Sequence, residues 1–310
     1  MTTLIFGHQN PDTDAITSAM TFAEYQRQLG NTDVEAVALG EPNDETKFAL
    51  NYFKHALPRV ITSAANETDT VMLVDHNEAQ QSVADIKDVT VTAVVDHHRI
   101  ANFETAAPLF YRAEPIGSTN SVLYKMYQEA GIAITPQIAG LMISGIVSDT
   151  LLLKSPTTTA TERDILPKLA KIAGIDLQEF GLAMLKAGTN LAAKSDLDIV
   201  EGDAKSFNMG GLTVRIGQVN TVDLNEIYAR QADLTATMQQ EATKHQYDLF
   251  LLIATNILDS DSTGFAVGTG LDKLEAAFGT KFDADHRLAL PGVVSRKKQV
   301  VPPLQKAFEA

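Results

Sequence analysis

Three short apolar runs constrain this chain most, because each ends on chemistry. Leu4-Ile5-Phe6 gives way to Gly7-His8, Val71-Met72-Leu73-Val74 runs into Asp75-His76, and the run from Val91 to Val95 ends at Asp96-His97-His98. Runs without polar alternation are expected of strands buried on both faces. Between them lie helical patterns: Ile16, Ala19, Met20 and Ala23 share a stripe, with Gly30 placed to stop it. Strands alternating with helices predict an α/β fold whose mostly parallel sheet is flanked by helices. A parallel sheet collects the carboxyl ends of its strands on one edge, which is where open α/β sheets bind ligands.

The rest of the chain extends the pattern. Val34 to Leu39 reads as a further strand, and a helix follows from Asn43 with Phe48 and Tyr52 on one stripe. Thr135-Pro136 reads as an N-cap and first helical residue, opening an apolar helix through Ile138, Leu141, Met142 and Val147. A more polar stretch near Lys186 to Asp198 reads as a linker, and 310 residues suffice for two domains. The expected division is a first domain over residues 1–187, a linker over 188–195 and a second, smaller α/β domain over 196–310. In the second, Leu212 to Val219, Leu249 to Ala254 and Gly264 to Val267 read as strands. A long helix is expected from about Asp223 to Lys244, and another from Leu271 to Phe278.

Composition narrows the chemistry. Lys plus Arg is 25 and Asp plus Glu is 39, a net charge of −14, which argues against nonspecific nucleic-acid binding. Cysteine is absent, so any metal site must be built from His and carboxylates. The N-terminus has no basic segment followed by a long apolar one, and no apolar run approaches the ~20 residues of a membrane span. The expectation is a cytoplasmic protein that engages neither membrane nor nucleic acid.

The segment Gly7-His8-Gln9-Asn10-Pro11-Asp12-Thr13-Asp14 lies between the first strand and the first helix, with three potential metal ligands in seven residues. Pro11 fixes one φ and biases Asn10 away from helix. The plainer reading makes Asp12 a helix cap and His8 a surface residue. A single Asp at a strand end is an ordinary turn-former, but three strand ends carrying Asp or His are harder to explain that way. Carboxylates gathered without a counter-ion raise one another's pKa, and divalent cations are the usual remedy. Ser148-Asp149-Thr150 ends the apolar helix, where the macrodipole disfavours an acid. It reads either as a polar break or as a sign of a compensating cation. The set His8, Asp12, Asp14, Asp75, His97 and Asp149 suits two metals sharing one carboxylate, an arrangement suited to phosphoryl chemistry. Mixed imidazole and carboxylate ligands point to Mn2+, with Co2+ or Zn2+ as alternatives.

These motifs, in order, resemble those of the DHH phosphoesterase superfamily, with Asp96-His97-His98 as its eponymous triplet. Ser295-Arg296-Lys297-Lys298-Gln299 resembles the signature of the accessory (DHHA2-like) domain of family II inorganic pyrophosphatases. The resemblance covers essentially the whole chain. It implies two Mn2+ per subunit, one on His8, Asp12 and Asp75, the other on Asp14, Asp75, His97 and Asp149, with Asp75 bridging. It implies that a water between them attacks pyrophosphate, giving two orthophosphates, and that further Mg2+ arrives with the substrate. Asp96 would orient a neighbouring imidazole, and His98 would contact substrate or leaving phosphate. Lys205, Arg296 and Lys297 would clamp phosphate oxygens from the second domain, so the site would form in the cleft between domains. The plainer reading of Arg296, Lys297 and Lys298 is a solvated basic run. A homodimer is expected from the resemblance alone.

The competing reading is a DHH-type phosphodiesterase or phosphatase acting on short oligonucleotides or nucleotide phosphates. Such members carry a C-terminal glycine-rich segment ending in His, which this chain lacks. Aromatic content is 6% with no Trp, leaving little material for base stacking. A catalytically silent metal or nucleotide sensor would be expected to lack at least one ligand, and none is missing.

Overall fold

The structure is a computed structural model and describes residues 2–309. The chain divides into two compact units between Gly188 and Thr189. The first contains β1 (Thr3–Phe6), α1 (Thr13–Gln28), β2 (Val34–Ala36), α2 (Asp44–Tyr52), β3 (Thr70–Val74), β4 (Thr90–Asp96), β5 (Phe110–Ala113), α3 (Thr119–Glu129), α4 (Pro136–Thr150), α5 (Ala160–Ala173) and α6 (Leu177–Thr189). Its sheet has the order β2-β1-β3-β4-β5 with every pairing parallel. The uninterrupted apolar runs are explained by the groups they meet. Ile5, Met72, Val74, Ala93 and Val95 pack against Phe22, Val122 and Met126 on one face. Leu4, Phe6, Leu73 and Val94 pack against Val37, Ile61 and Val83 on the other. Phe6 is in register with Leu73 and Val74 with Val95, so the chain leaves β1, β3 and β4 at nearly one level.

Helix α4 is buried along every residue from Ile138 to Val147. Thr135 caps it, its Oγ1 accepting from the Ile138 N–H at 3.3 Å, with Pro136 at the first helical position. It packs against α1 and α5, and Gly145 permits a close approach to α1. A Cβ there would fall on the Asp14 carboxylate and the Asn120 amide.

The second unit contains α7 (Asp196–Glu201), β6 (Ala204–Met209), β7 (Leu212–Thr221), α8 (Leu224–Tyr228), α9 (Gln231–His245), β8 (Leu249–Asn256), β9 (Asp261–Gly268), α10 (Leu271–Phe278), β10 (Leu288–Leu290) and α11 (Val301–Glu309). Its sheet runs β10-β9-β8-β7-β6, with β7 and β8 parallel and the other pairs antiparallel. All eight residues of β8 are buried. Phe250 and Leu252 meet Ile199, Leu234 and Met238 on one face, and Leu251 and Ile253 join a cluster with Leu274, Val300 and Leu304 on the other.

Two local expectations are corrected. The helix expected over 223–244 is two helices, broken at Ala229 and Arg230. Arg230 sits at the break, and its guanidinium binds Asp196 Oδ1 at 2.6 Å and the Leu191 and Lys194 carbonyls. The strand expected over 34–39 ends at Ala36, after which Ala38 bridges to Val60. In the stretch read as a linker, Leu191 is buried in the second unit's core.

Candidate metal centre

The segment after β1 and the strand ends at β3 and β4 carry most of the site. Asn10 adopts φ +52, a left-handed conformation between Gln9 and Pro11 rather than the extended one that a following proline favours. Gln9 ties this loop down through its N–H to the Gln81 carbonyl at 2.7 Å and its Nε2 to the Ser82 carbonyl at 2.6 Å. Asp12 does both things the sequence offered. Its Oδ1 accepts the Ala15 N–H at 2.9 Å as the N-cap of α1, while Oδ2 lies 3.6 Å from His8 Nε2. Asp75 has φ +59, which turns the chain out of the sheet at a cost on the order of 1 kcal/mol for a residue with a Cβ. Its N–H still reaches the Val95 carbonyl at 3.0 Å.

Asp75 stands at the middle of the cluster. Its Oδ2 is 3.5 Å from His8 Nε2 and its Oδ1 is 3.4 Å from His97 Nε2. His97 Nε2 is also 3.4 Å from Asp149 Oδ2, on the penultimate residue of α4. Potential ligand atoms within 4.8 Å of one another form the groups His8-Asp12-Asp75, Asp14-Asp75-His97-Asp149 and Asp75-His97-His98. All six residues expected to ligate metal thus come together in the first unit. Both central imidazoles are oriented from behind, His8 Nδ1 by the Gln9 carbonyl and His97 Nδ1 by the Ile116 carbonyl, each at 2.9 Å. That fixes the tautomer and leaves Nε2 facing the carboxylates, the usual support for a metal-binding histidine.

Asp14 is fully buried and held by the start of α3. Its Oδ2 accepts the Thr119 N–H at 2.7 Å, and its Oδ1 accepts Ser118 Oγ and Asn120 Nδ2, each at 2.8 Å. Backbone N–H groups at a helix N-terminus are a natural seat for an anion. Thr119 Oγ1 donates to Asp75 Oδ1 at 2.8 Å. The segment from Ile116 to Asn120 therefore braces two carboxylates and one imidazole, and sequence reasoning missed it. Its visible signal, Gly117-Ser118-Thr119 ahead of a helix, reads only as a cap. Asp149 is fixed by the turn that closes α4. Leu151, Leu152 and Leu153 have φ of 47°, 52° and 66°, an unusual left-handed run that ends the helix abruptly and buries Leu152 near Gly181.

The electrostatics fit cations that are not protons. Burial lowers the pKa of His8, but the carboxylates of Asp12 and Asp75 outweigh it and push it up to about 11. Burial opposes a rise at His97 as well, and Asp75 carries it to about 9. Burial and then Asp75 raise Asp14 to about 6, and burial with the charges of Asp14 and Asp75 pushes Asp149 well above the carboxylate range. Asp75 is itself buried, yet the two imidazoles hold it below the usual carboxylate range. Without metal, protons on His8 and His97 offset part of the cluster's negative charge. Divalent ions fit this donor set, since its imidazole nitrogens and clustered carboxylates are hard and borderline ligands aimed at common points.

Asp96 is fully buried and faces away from ligation. Its Oδ1 accepts His98 Nδ1 at 3.0 Å and the N–H of His97 at 2.7 Å, while Oδ2 accepts Asn77 Nδ2 at 2.7 Å. This orients His98, whose ring is half-exposed. In the second unit, Lys205 lies exposed on β6 and Lys297 lies exposed in a π-helical turn spanning Arg296–Val300. Arg296 opens that turn. Its side chain is only 10% exposed because Nη2 donates to Asp203 Oδ1 at 2.7 Å and Nη1 to the Asp203 carbonyl. Among the described residues, no bond from its Nε accompanies these. Gln218 Oε1 accepts the Arg296 N–H at 3.2 Å, and Gln299 Oε1 accepts the Val294 and Ser295 N–H groups.

Comparison with known proteins agrees with this organisation. Residues 2–146 match the DHH family, N-terminal domain, and residues 182–307 match the DHHA2 domain. A Lactiplantibacillus plantarum protein named "Probable manganese-dependent inorganic pyrophosphatase" is 60% identical over 307 residues, covering 99% of each chain. An Enterococcus faecalis protein of the same name is 58% identical over 305 residues, covering 98% of each. A crystal structure from Methanococcus jannaschii, provisionally assigned to the family II inorganic pyrophosphatases, superposes with a TM-score of 0.61 at 36% identity, covering 99% of each chain. With its DHH and DHHA2 domains and this full-length identity, the chain belongs to the manganese-dependent, family II inorganic pyrophosphatases.

Proposed function

We propose that this chain hydrolyses inorganic pyrophosphate to two orthophosphates, using two Mn2+ held by His8, Asp12 and Asp75 and by Asp14, Asp75, His97 and Asp149. The observation that carries the reading is the buried Asp75 carboxylate, whose two oxygens face two different imidazoles. One carboxylate shared between two ligand groups suits phosphoryl transfer. The names of the full-length relatives support pyrophosphate as the substrate. Bound there, Mn2+ would supply Lewis acidity, neutralising phosphoryl oxygens and lowering the pKa of the attacking water.

The protein's own groups do the rest. The Gln9 and Ile116 carbonyls hold His8 and His97 in the ligating tautomer, and the start of α3 holds Asp14 ionised against its neighbours. Asp96 takes His98 Nδ1, so that Nε2 is the nitrogen offered to substrate or leaving phosphate. Lys205, Arg296 and Lys297 supply cations for the remaining oxygens. The Nε–H of Arg296 and its second Nη2–H form one edge of the guanidinium, suited to two phosphate oxygens. Co2+ would substitute for Mn2+, and Mg2+ would accompany the substrate. No helix among the described residues is long and apolar enough to cross a membrane. A cytoplasmic homodimer belongs to the same proposal.

The test is phosphate release from pyrophosphate with Mn2+, compared with a dinucleotide and a nucleotide monophosphate. The expected result is turnover of pyrophosphate far above the other two. Turnover of the dinucleotide without pyrophosphate would transfer the site to the phosphodiesterase reading.

A further inference from the structure

Glu45 belongs to none of the motifs that mark the metal centre. It occupies the second position of α2, whose N-cap is Asn43. Its Oε1 accepts Thr13 Oγ1 at 2.6 Å and Ser148 Oγ at 2.5 Å. Thr13 lies between Asp12 and Asp14 at the start of α1, and Ser148 precedes Asp149 at the end of α4. One carboxylate oxygen thus joins the two helix ends that carry three of the six proposed ligands.

The joint is braced on its own side. Thr13 Oγ1 lies 3.1 Å from Thr46 Oγ1, and Asn43 Oδ1 accepts both the N–H and the Oγ1 of Thr46, at 2.8 and 3.0 Å. Thr13 and Thr46 are fully buried. Thr46 has one hydroxyl proton and gives it either to Asn43 Oδ1 or to Thr13 Oγ1, so the path from the cap of α2 through two threonines to Glu45 and on to α4 is a chain of close polar contacts. Nothing about these bonds requires an acid, since a glutamine oxygen accepts the same two hydroxyls. The carboxylate instead adds charge beside Asp12. Without cations that is unfavourable, and burial followed by the Asp12 charge raises the pKa of Glu45.

Resting on the reading that the cluster binds Mn2+, we propose that Glu45 is a positioning residue for the metal centre. Its Oε1 fixes the spacing between the Asp12–Asp14 segment and Asp149, and its charge strengthens the field that draws divalent cations. Groups that orient ligands from behind typically change metal affinity 10–100-fold when removed.

The test is calorimetric titration of Mn2+ into the metal-free wild type, Glu45→Ala, Glu45→Gln, Ser148→Ala and Glu45→Ala/Ser148→Ala. Melting of each metal-free protein and the steady-state kcat and KM accompany it. Glu45→Ala is expected to bind Mn2+ about 10-fold or more weakly and to lose kcat rather than gain KM. Glu45→Gln should recover most of kcat by restoring the acceptor while binding Mn2+ several-fold more weakly than wild type. Ser148→Ala removes one arm of the joint and should weaken binding less, and the double variant should be no weaker than Glu45→Ala, which already removes both arms. Should Glu45→Ala not fold, Glu45→Gln and Ser148→Ala still decide, one reporting charge and the other geometry. Mn2+ affinities within twofold of wild type in the folded variants overturn the proposal, as does a double variant whose losses simply add. A wild type that binds no Mn2+ defeats the functional reading instead.

Discussion

Adding Mn2+ to the metal-free protein must displace protons, and the site sets how many. His8 is carried up to about 11 by Asp12 and Asp75 against the effect of burial, and His97 to about 9 by Asp75. At pH 8 a group near 9 is about 90% protonated and one near 11 is essentially fully so. Both imidazoles must be neutral to ligate, so filling the two sites should release about two protons. Asp149, raised by burial and by Asp14 and Asp75, adds whatever proton it still holds, whereas Asp14 at about 6 adds almost none. Titration at pH 8 in buffers of different ionisation enthalpy counts these protons directly. Stability responds with a definite sign. Both histidines have folded values above the ordinary 6.5, so their stabilisation of the metal-free protein is complete below 6.5 and is lost as pH rises through about 9 and about 11. Asp14 acts in the same direction between 3.8 and about 6. At about 1.4 kcal/mol per tenfold, the rise of His97 from 6.5 to about 9 corresponds to roughly 3 kcal/mol. The two imidazoles share Asp75, so their contributions do not add. The metal-free protein should melt roughly 5–10 °C lower at pH 9.5 than at pH 6.5, and saturating Mn2+ should abolish that decline. Release of less than one proton for two Mn2+, or a metal-free melting temperature that climbs over this interval, would refute the reasoning.

Other perturbations separate the parts of the site. Asp75→Asn removes the charge that two ligand groups share, so both Mn2+ affinities should fall by about 100-fold or more, measured by titration; loss of only one would mean the sharing is wrong. Gly145→Ala places a Cβ against Asp14 and Asn120 and should destabilise the protein by roughly 1–3 kcal/mol in denaturant unfolding, with weaker Mn2+ binding alongside. An unchanged midpoint would mean that α4 can shift without disturbing Asp14. Arg296→Ala should raise KM for pyrophosphate about 10-fold or more with Mn2+ affinity intact, and a loss of metal instead would place that residue elsewhere in the mechanism.

Charge at strand ends was legible because parallel strands leave a sheet in one direction, so Asp75 and His97 converge whatever the loops do. The alternatives at Asp12 were legible too, and the structure joins them, one oxygen capping α1 and the other facing His8. The groups that hold the acids were not legible. Ser118, Thr119 and Asn120 reach Asp14 across more than a hundred residues with hydroxyl, amide and backbone N–H groups, and in sequence these look like an ordinary helix cap. Asp203 reaches Arg296 across a separation of 93 residues, and no local pattern distinguishes that acid from its neighbours. The break at Ala229 and Arg230 carries no glycine or proline, so no local signal marks it, and the Arg230 guanidinium found there binds Asp196 across 34 residues. Ligands are chosen by charge and can be read from composition and position. The bonds that aim them are uncharged or long-range, and they arise only in the packed fold. The same division explains why Glu45 escapes any motif. It contributes through two hydroxyls that become its neighbours only when α1, α2 and α4 have packed together, so its identity as part of the site is a property of the tertiary structure and not of the local sequence.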